Sequence, residues 1–94
     1  MTNRGQESGT VSIPVAAQRA GLSVYTVRRY VRVGLVEAPL REDQLAEVRR
    51  IRRLTEMGIN LAGVEVILAM RRRIESLQGE IARLERLLQQ AEEE

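Results

Sequence analysis

The sequence contains no cysteine, histidine, phenylalanine, tryptophan or lysine. Without cysteine there is no disulfide and no thiol nucleophile. Without cysteine and histidine there is no Cys/His zinc site and no imidazole base. With Tyr25 and Tyr30 as the only aromatic residues, the core must be aliphatic and small. No stretch approaches the roughly 18 apolar residues of a membrane span. Met1 to Thr10 is polar and glycine-containing, without an apolar run behind a basic start. These absences predict a soluble, cytoplasmic protein with no membrane partner. A Gly-rich phosphate loop, a nucleophile beside a base and a fixed pair of carboxylates are all missing too. No enzymatic activity, cofactor or metal is therefore expected.

What is present is arginine. The chain has 94 residues, room for one ordinary domain and a tail. All fifteen basic residues are Arg, set against thirteen acids, for a net charge of +2. Arginine presents a planar fork to phosphate and base edges, where lysine presents a point charge. The balance is uneven. Residues 1–58 hold ten Arg and six acids, and residues 59–94 hold five Arg and seven acids. Arg28, Arg29, Arg32, Arg41, Arg49, Arg50, Arg52 and Arg53 fall within 26 residues of one another.

Residues 1–10 read as a disordered tail, since ordering them would bury almost nothing. A first helix is predicted to open near Pro14, which loses no partner at a first turn, and to stop at Gly21. Ser23 caps a second helix running from Val24 to Val33, and Gly34 stops it. Residues 35–39 form a connector. A third helix begins near Arg41 or Glu42, faces Leu45, Val48, Ile51 and Leu54 inward, and closes at Gly58. Asn60 caps a fourth, through Val64, Ile67, Leu68 and Met70. Beyond it the chain either continues as the same helix or starts a fifth, with Arg71-Arg72-Arg73 the place for a bend.

The second helix divides its faces. Val24, Val27 and Val31 share one side. Tyr25, Arg28, Arg29 and Arg32 share the other, at i, i+3, i+4 and i+7. The helix contains no acid, so three arginines repel one another until a polyanion arrives. That pattern favours nucleic-acid contact over an ordinary solvated face. Ala17, Gly21, Ser23 and Val27 have the spacing of a helix-turn-helix, with a small residue at the crossing and glycine in the turn. On the third helix, Arg49, Arg50 and Arg53 lie away from the apolar face. They read as a solvated surface held by pairs such as Glu47–Arg50 and Arg52–Glu56, with phosphate contact the other reading.

The last stretch carries a heptad. Ile67, Met70, Ile74, Leu77, Ile81, Leu84, Leu88 and Ala91 recur at spacings of three and four, and Gly79 falls on the outer f position. A lone helix with such a stripe needs a partner helix, most simply a second copy. The pattern suits a two-stranded coil and leaves its direction open. The chain thus divides into a tail (1–10), a head (11–70) and a dimerisation helix (71–94).

Val15 to Ser23, Thr26-Val27-Arg28-Arg29-Tyr30 and Val33-Gly34-Leu35-Val36 resemble the DNA-binding head of MerR-type regulators. Leu54 and the run Gly58 to Val64 resemble the heat-shock-repressor branch of that family. They are also similar to CbpM-like modulators of DnaJ-type co-chaperones, which share the head. The resemblance covers residues 11–91. It implies an all-α fold and a dimeric repressor of double-stranded DNA, with a stress-response role. The second helix would lie in the major groove. Arg28 would read a base, Tyr25 and Thr26 would reach bases or backbone, and Tyr30, Arg29 and Arg32 would lie near phosphates. Arg41, the connector's one basic residue, joins that set. The terminal helices would pair antiparallel. The resemblance also implies a chaperone of DnaK or DnaJ type as a second kind of partner, or as the partner in place of DNA. Cysteine-based metal sensing and a drug-binding domain, known in the family, are not expected here, leaving a protein partner or temperature as the signal. The family's wing between the second and third helices is cut to residues 37–42, too short for a hairpin.

Overall fold

The computed structural model describes residues 9–93. The fold is all-α, with a two-stranded ribbon. In chain order the elements are β1 (Thr10–Val11), α1 (Ile13–Ala20), α2 (Val24–Arg32), β2 (Leu40–Arg41), α3 (Glu42–Glu56) and α4 (Leu61–Glu93). The described residues fall into two units, divided between Asn60 and Leu61.

The helix boundaries follow local chemistry. The Ser12 hydroxyl accepts from the Val15 N–H at 3.3 Å and caps α1, with Pro14 in the first turn. The Ser23 hydroxyl accepts from the Thr26 N–H at 3.1 Å and caps α2. Each cap satisfies a donor that the helix itself leaves unpaired. Glu42 and Asp43 occupy the first turn of α3, where carboxylates meet the positive end of the helix dipole. At the end of α1 the Leu22 N–H donates to the Ala17 carbonyl at 2.8 Å and the Gly21 N–H to Gln18 at 3.2 Å. Gly21 takes a φ of +72° to make that turn. A β-carbon there would also run into the Arg52 guanidinium. The positive φ favours glycine at position 21, and any side chain there would also have to displace the Arg52 guanidinium.

The first unit closes around a small aliphatic core. Ala16, Ala17 and Ala20 of α1, Val27 of α2 and Leu45, Val48 and Ile51 of α3 are buried, together with Leu35, Val36 and Leu40. Leu54, expected among them, is half-buried. Tyr30 is the one aromatic residue in this core, 4 % exposed. No polar or charged residue is buried among the described residues.

Two expectations are corrected here. Of the tail expected over residues 1–10, residues 1–8 lie outside the described residues, and Thr10 forms β1. The connector is not structureless either. Leu40 and Arg41 pair antiparallel with Val11 and Thr10, giving the register Thr10↔Arg41 and Val11↔Leu40. The short connector makes no hairpin of its own, so its backbone groups are satisfied by the stretch before α1, a non-local pairing.

The second unit is one helix of 33 residues, about 50 Å long at the helical rise. It runs through Arg71-Arg72-Arg73 without a break, and Arg71 pairs with Glu75 at 3.5 Å, one turn on. Val64 and Leu68 are buried. From Ala69 onward every described residue is exposed.

Candidate nucleic-acid interface

The outer face of α2 is built by the capping and packing already described. Val27 and Tyr30 turn inward, with Val24 and Val31 half-buried. That leaves Tyr25, Arg28, Arg29 and Arg32 exposed, Tyr25 at 69 %. The three arginines have no ion-pair partner among the described residues. Thr26 sits at the start of the helix, its hydroxyl 2.9 Å from that of Ser23.

Two of the expected contact residues lie apart from this face. The Tyr30 side chain is packed in the core, 4 % exposed, on the side of α2 away from the arginines. Arg41 lies on β2 and is held by Asp43, with Nε 3.2 Å from Oδ1 and Nη2 3.3 Å from Oδ2.

Two of the ion pairs expected on the third helix are present: Arg50–Glu47 at 2.6 Å and Arg52–Glu56 at 2.8 Å. What sequence patterning missed is their reach to α1. Arg52 Nη1 donates to the Ala20 carbonyl at 2.6 Å, and Arg49 Nη2 donates to the Arg19 carbonyl at 3.4 Å. Both carbonyls stand at the C-terminus of α1, the negative end of its dipole, where a guanidinium is favoured. Arg19 in turn holds Glu42 through two bonds of 3.1 Å. Those bonds, more than the surrounding charge of Arg19 and Arg49, keep the Glu42 carboxyl below its ordinary value. No local spacing signals contacts made across 23 to 32 residues of chain.

Two grooves flank these contacts. One, of about 570 Å³, lies between the β-ribbon and α1, and its only charged lining residues, Arg19 and Glu42, neutralise each other. The other, of about 460 Å³, lies between the end of α1 and α3 and carries Arg19, Arg49, Arg52 and Arg53 with the single acid Glu56.

The apolar stripe of α4 is open along its length. Met70, Ile74, Leu77, Ile81, Leu84 and Leu88 are each 39–61 % exposed, and Ile67 is half-buried. Leu87, beside the stripe and not counted in it, is 49 % exposed. Among the described residues no three metal-ligating side chains cluster, and no helix is long and apolar enough to cross a membrane.

Comparison with known proteins bears on this arrangement. Residues 30–86 match the family model described as MerR HTH family regulatory protein. The match includes Tyr30, Arg32, Arg41 and all of α3, and begins after the first part of α2. A protein of Streptomyces coelicolor named as a heat shock protein, HspR, is 33 % identical over 81 residues. The alignment takes in 77 % of this chain and 54 % of that relative, so the chain spans about half the relative's length. No solved structure matches the chain significantly.

Proposed function

The chain belongs to the MerR helix-turn-helix family of regulatory proteins, and from that premise we propose that it is a dimeric, sequence-specific repressor that reads duplex DNA through α2. One observation carries this reading: Arg28, Arg29 and Arg32 stand exposed on one face with Tyr25, without an acid partner among the described residues. Three unpaired guanidinium groups on a capped, rigid helix suit a polyanion, and their forks suit phosphate and guanine edges. In this reading Arg28 reads a base, Tyr25 and Thr26 reach base edges or backbone, and Arg29 and Arg32 hold phosphates. Tyr30 offers its hydroxyl to a phosphate, and Arg41 contributes once it exchanges Asp43 for the backbone. The likeness to a heat shock protein supports a role in the stress response.

Two heads are joined through α4. The open stripe of Ile67, Met70, Ile74, Leu77, Ile81, Leu84 and Leu88 is an apolar face of the kind that marks an interface. Charge beside the stripe favours antiparallel pairing. Arg71 and Arg73 flank its first half, and Glu80, Glu85 and Glu92 its second. Pairing centred on Gly79 layers Ile74 on Leu84 and Leu77 on Ile81 of the second copy, and sets Arg71 toward Glu85 at both ends. Glu80 then meets its own copy once. Parallel pairing sets Glu80 against Glu85 twice and offers no opposite-charge pair across the seam.

Selection of the pure protein against random-sequence duplexes at moderate salt tests the reading. Enrichment of a pseudo-palindrome, bound with a steep negative salt slope, is the expected result. A reporter downstream of that site should fall in expression when the protein is present. Failure to enrich any sequence overturns sequence-specific reading. A rise in the reporter overturns repression.

A further inference from the structure

The groove between the end of α1 and α3 brings Arg49 and Arg53, whose spacing leaves phosphate contact as a second reading, to one concave site, and its charge is not neutralised. Of its four guanidinium groups, Arg19 is paired with Glu42 and Arg52 with Glu56. Arg53 is exposed and has no partner among the described residues, and Arg49 makes one long bond of 3.4 Å to the Arg19 carbonyl. Two positive charges thus remain with most of their N–H donors unused, each guanidinium having five. A concave site lined by one sign of charge concentrates its field and raises the local concentration of anions.

The groove is also preorganised. Arg52 is clamped between the Ala20 carbonyl and Glu56, at 2.6 and 2.8 Å, and Arg49 leans on the neighbouring carbonyl. The floor is Gln18 to Gly21, the end of α1 and the turn that leads into α2. Only Leu22 and Ser23 separate that turn from the first residue of α2. An anion seated here is therefore adjacent to the start of the helix that carries Tyr25 and Arg28. The absence of a side chain at Gly21 leaves the Arg52 guanidinium its place at the groove wall.

We propose that this groove, through Arg53 and Arg49, binds a phosphate of the duplex backbone beside the bases read by α2. The inference rests on the DNA-binding reading and extends it to a second face of the head. The contact reaches no base edge, so it adds affinity without sequence preference. Arg52 is the positioning residue that closes the groove against α1.

The test is a salt titration of full-length protein, as wild type, Arg53→Ala and Arg53→Glu, on the selected duplex and a random one, with Arg28→Ala alongside. Removing one phosphate contact should flatten the salt slope by about 0.9 and weaken binding roughly eightfold at 0.1 M salt. The loss should be equal on both duplexes, greater for Arg53→Glu, and accompanied by an unchanged melting temperature. If Arg28→Ala loses discrimination while Arg53→Ala keeps the wild-type slope, DNA reading stands and the groove's role is overturned. If wild type shows no salt-dependent duplex binding, both fail together. Inorganic phosphate, titrated alone, supplies the remaining arm. If it shifts the Arg53 Nε–H resonance while the DNA slope of Arg53→Ala is unchanged, the groove takes free phosphate and the backbone contact is overturned.

Discussion

The first unit and the long helix solve the same problem with opposite means. In the first unit, three short helices turn Ala16, Val27, Leu45, Val48 and Ile51 toward one another and leave arginine outside. In α4, residues of the same apolar character stand in the open, Ile74 and Ile81 each more than half exposed. Burial in the head is a property of one chain. Burial of the α4 stripe requires a partner surface, and in the proposed dimer, where that surface is a second helix, the stability of the element follows protein concentration. The comparison teaches that the head closes its apolar surface within one chain, whereas α4 leaves its stripe open, as the proposed dimer requires.

The sharpest way to break that comparison is Ile81→Asp. A carboxylate at the centre of the stripe should abolish self-association at micromolar concentration in sedimentation equilibrium and lower helix content. With the heads unlinked, affinity for the paired site should fall by about 10²–10⁴, the usual gain from joining two binding modules. Retention of the dimer would show that the stripe is not the seam.

Next in size is a pair of alanine substitutions. Leu45→Ala in the head should cost about 2–5 kcal/mol whatever the protein concentration, because its cavity lies within one chain. Leu77→Ala should lower the melting temperature by an amount that shrinks as concentration rises. Identical concentration dependence for the two would erase the distinction drawn between the units. Arg28→Ala comes third. It should leave both melting curves unchanged, cost about 1–3 kcal/mol on the selected duplex, and relax preference at one base position.

Much of this was legible in the sequence because the signals are local. Ser23, Gly21, Gly34 and Gly58 mark helix ends through bonds made within a few residues. The faces of α2 and the stripe of α4 follow from period alone. What was not legible is non-local. The pairing of Val11 with Leu40 joins segments with almost no strand pattern, two residues each. The clamp of Arg52 on Ala20 spans 32 residues, and its i, i+4 partner Glu56 suggested a surface pair instead. Tyr30 could face either way, since its ring suits a core and its hydroxyl suits a phosphate. The run Arg71-Arg72-Arg73 contains no helix breaker and consists of good helix formers, and the exposed Arg71–Glu75 pair adds a little to its continuation.

A smaller change sharpens the account of α4. Gly79 sits in mid-helix with nothing within 4 Å of the position a β-carbon would take. Gly79→Ala should therefore stabilise each helix by up to about 1 kcal/mol and raise the melting temperature without changing the association state. A fall in stability would mean that the two helices approach closely at that position.

The smallest effect tests the contact that ties α1 to α3. Glu42 is exposed, and two hydrogen bonds from Arg19 hold its carboxyl below the ordinary value near 4.5. Because the folded value is the lower one, the unfolded chain takes up this proton first as pH falls. The contribution of Glu42 is therefore fully present above the ordinary carboxylate range and is lost as pH drops through the folded value. Glu42→Gln should lower the melting temperature slightly at pH 7, as expected for an exposed pair, and the difference from wild type should vanish at acid pH. It should also shrink in high salt, where exposed charges are screened. A difference that persisted at acid pH would place the role of Glu42 in packing at the start of α3 and not in its charge.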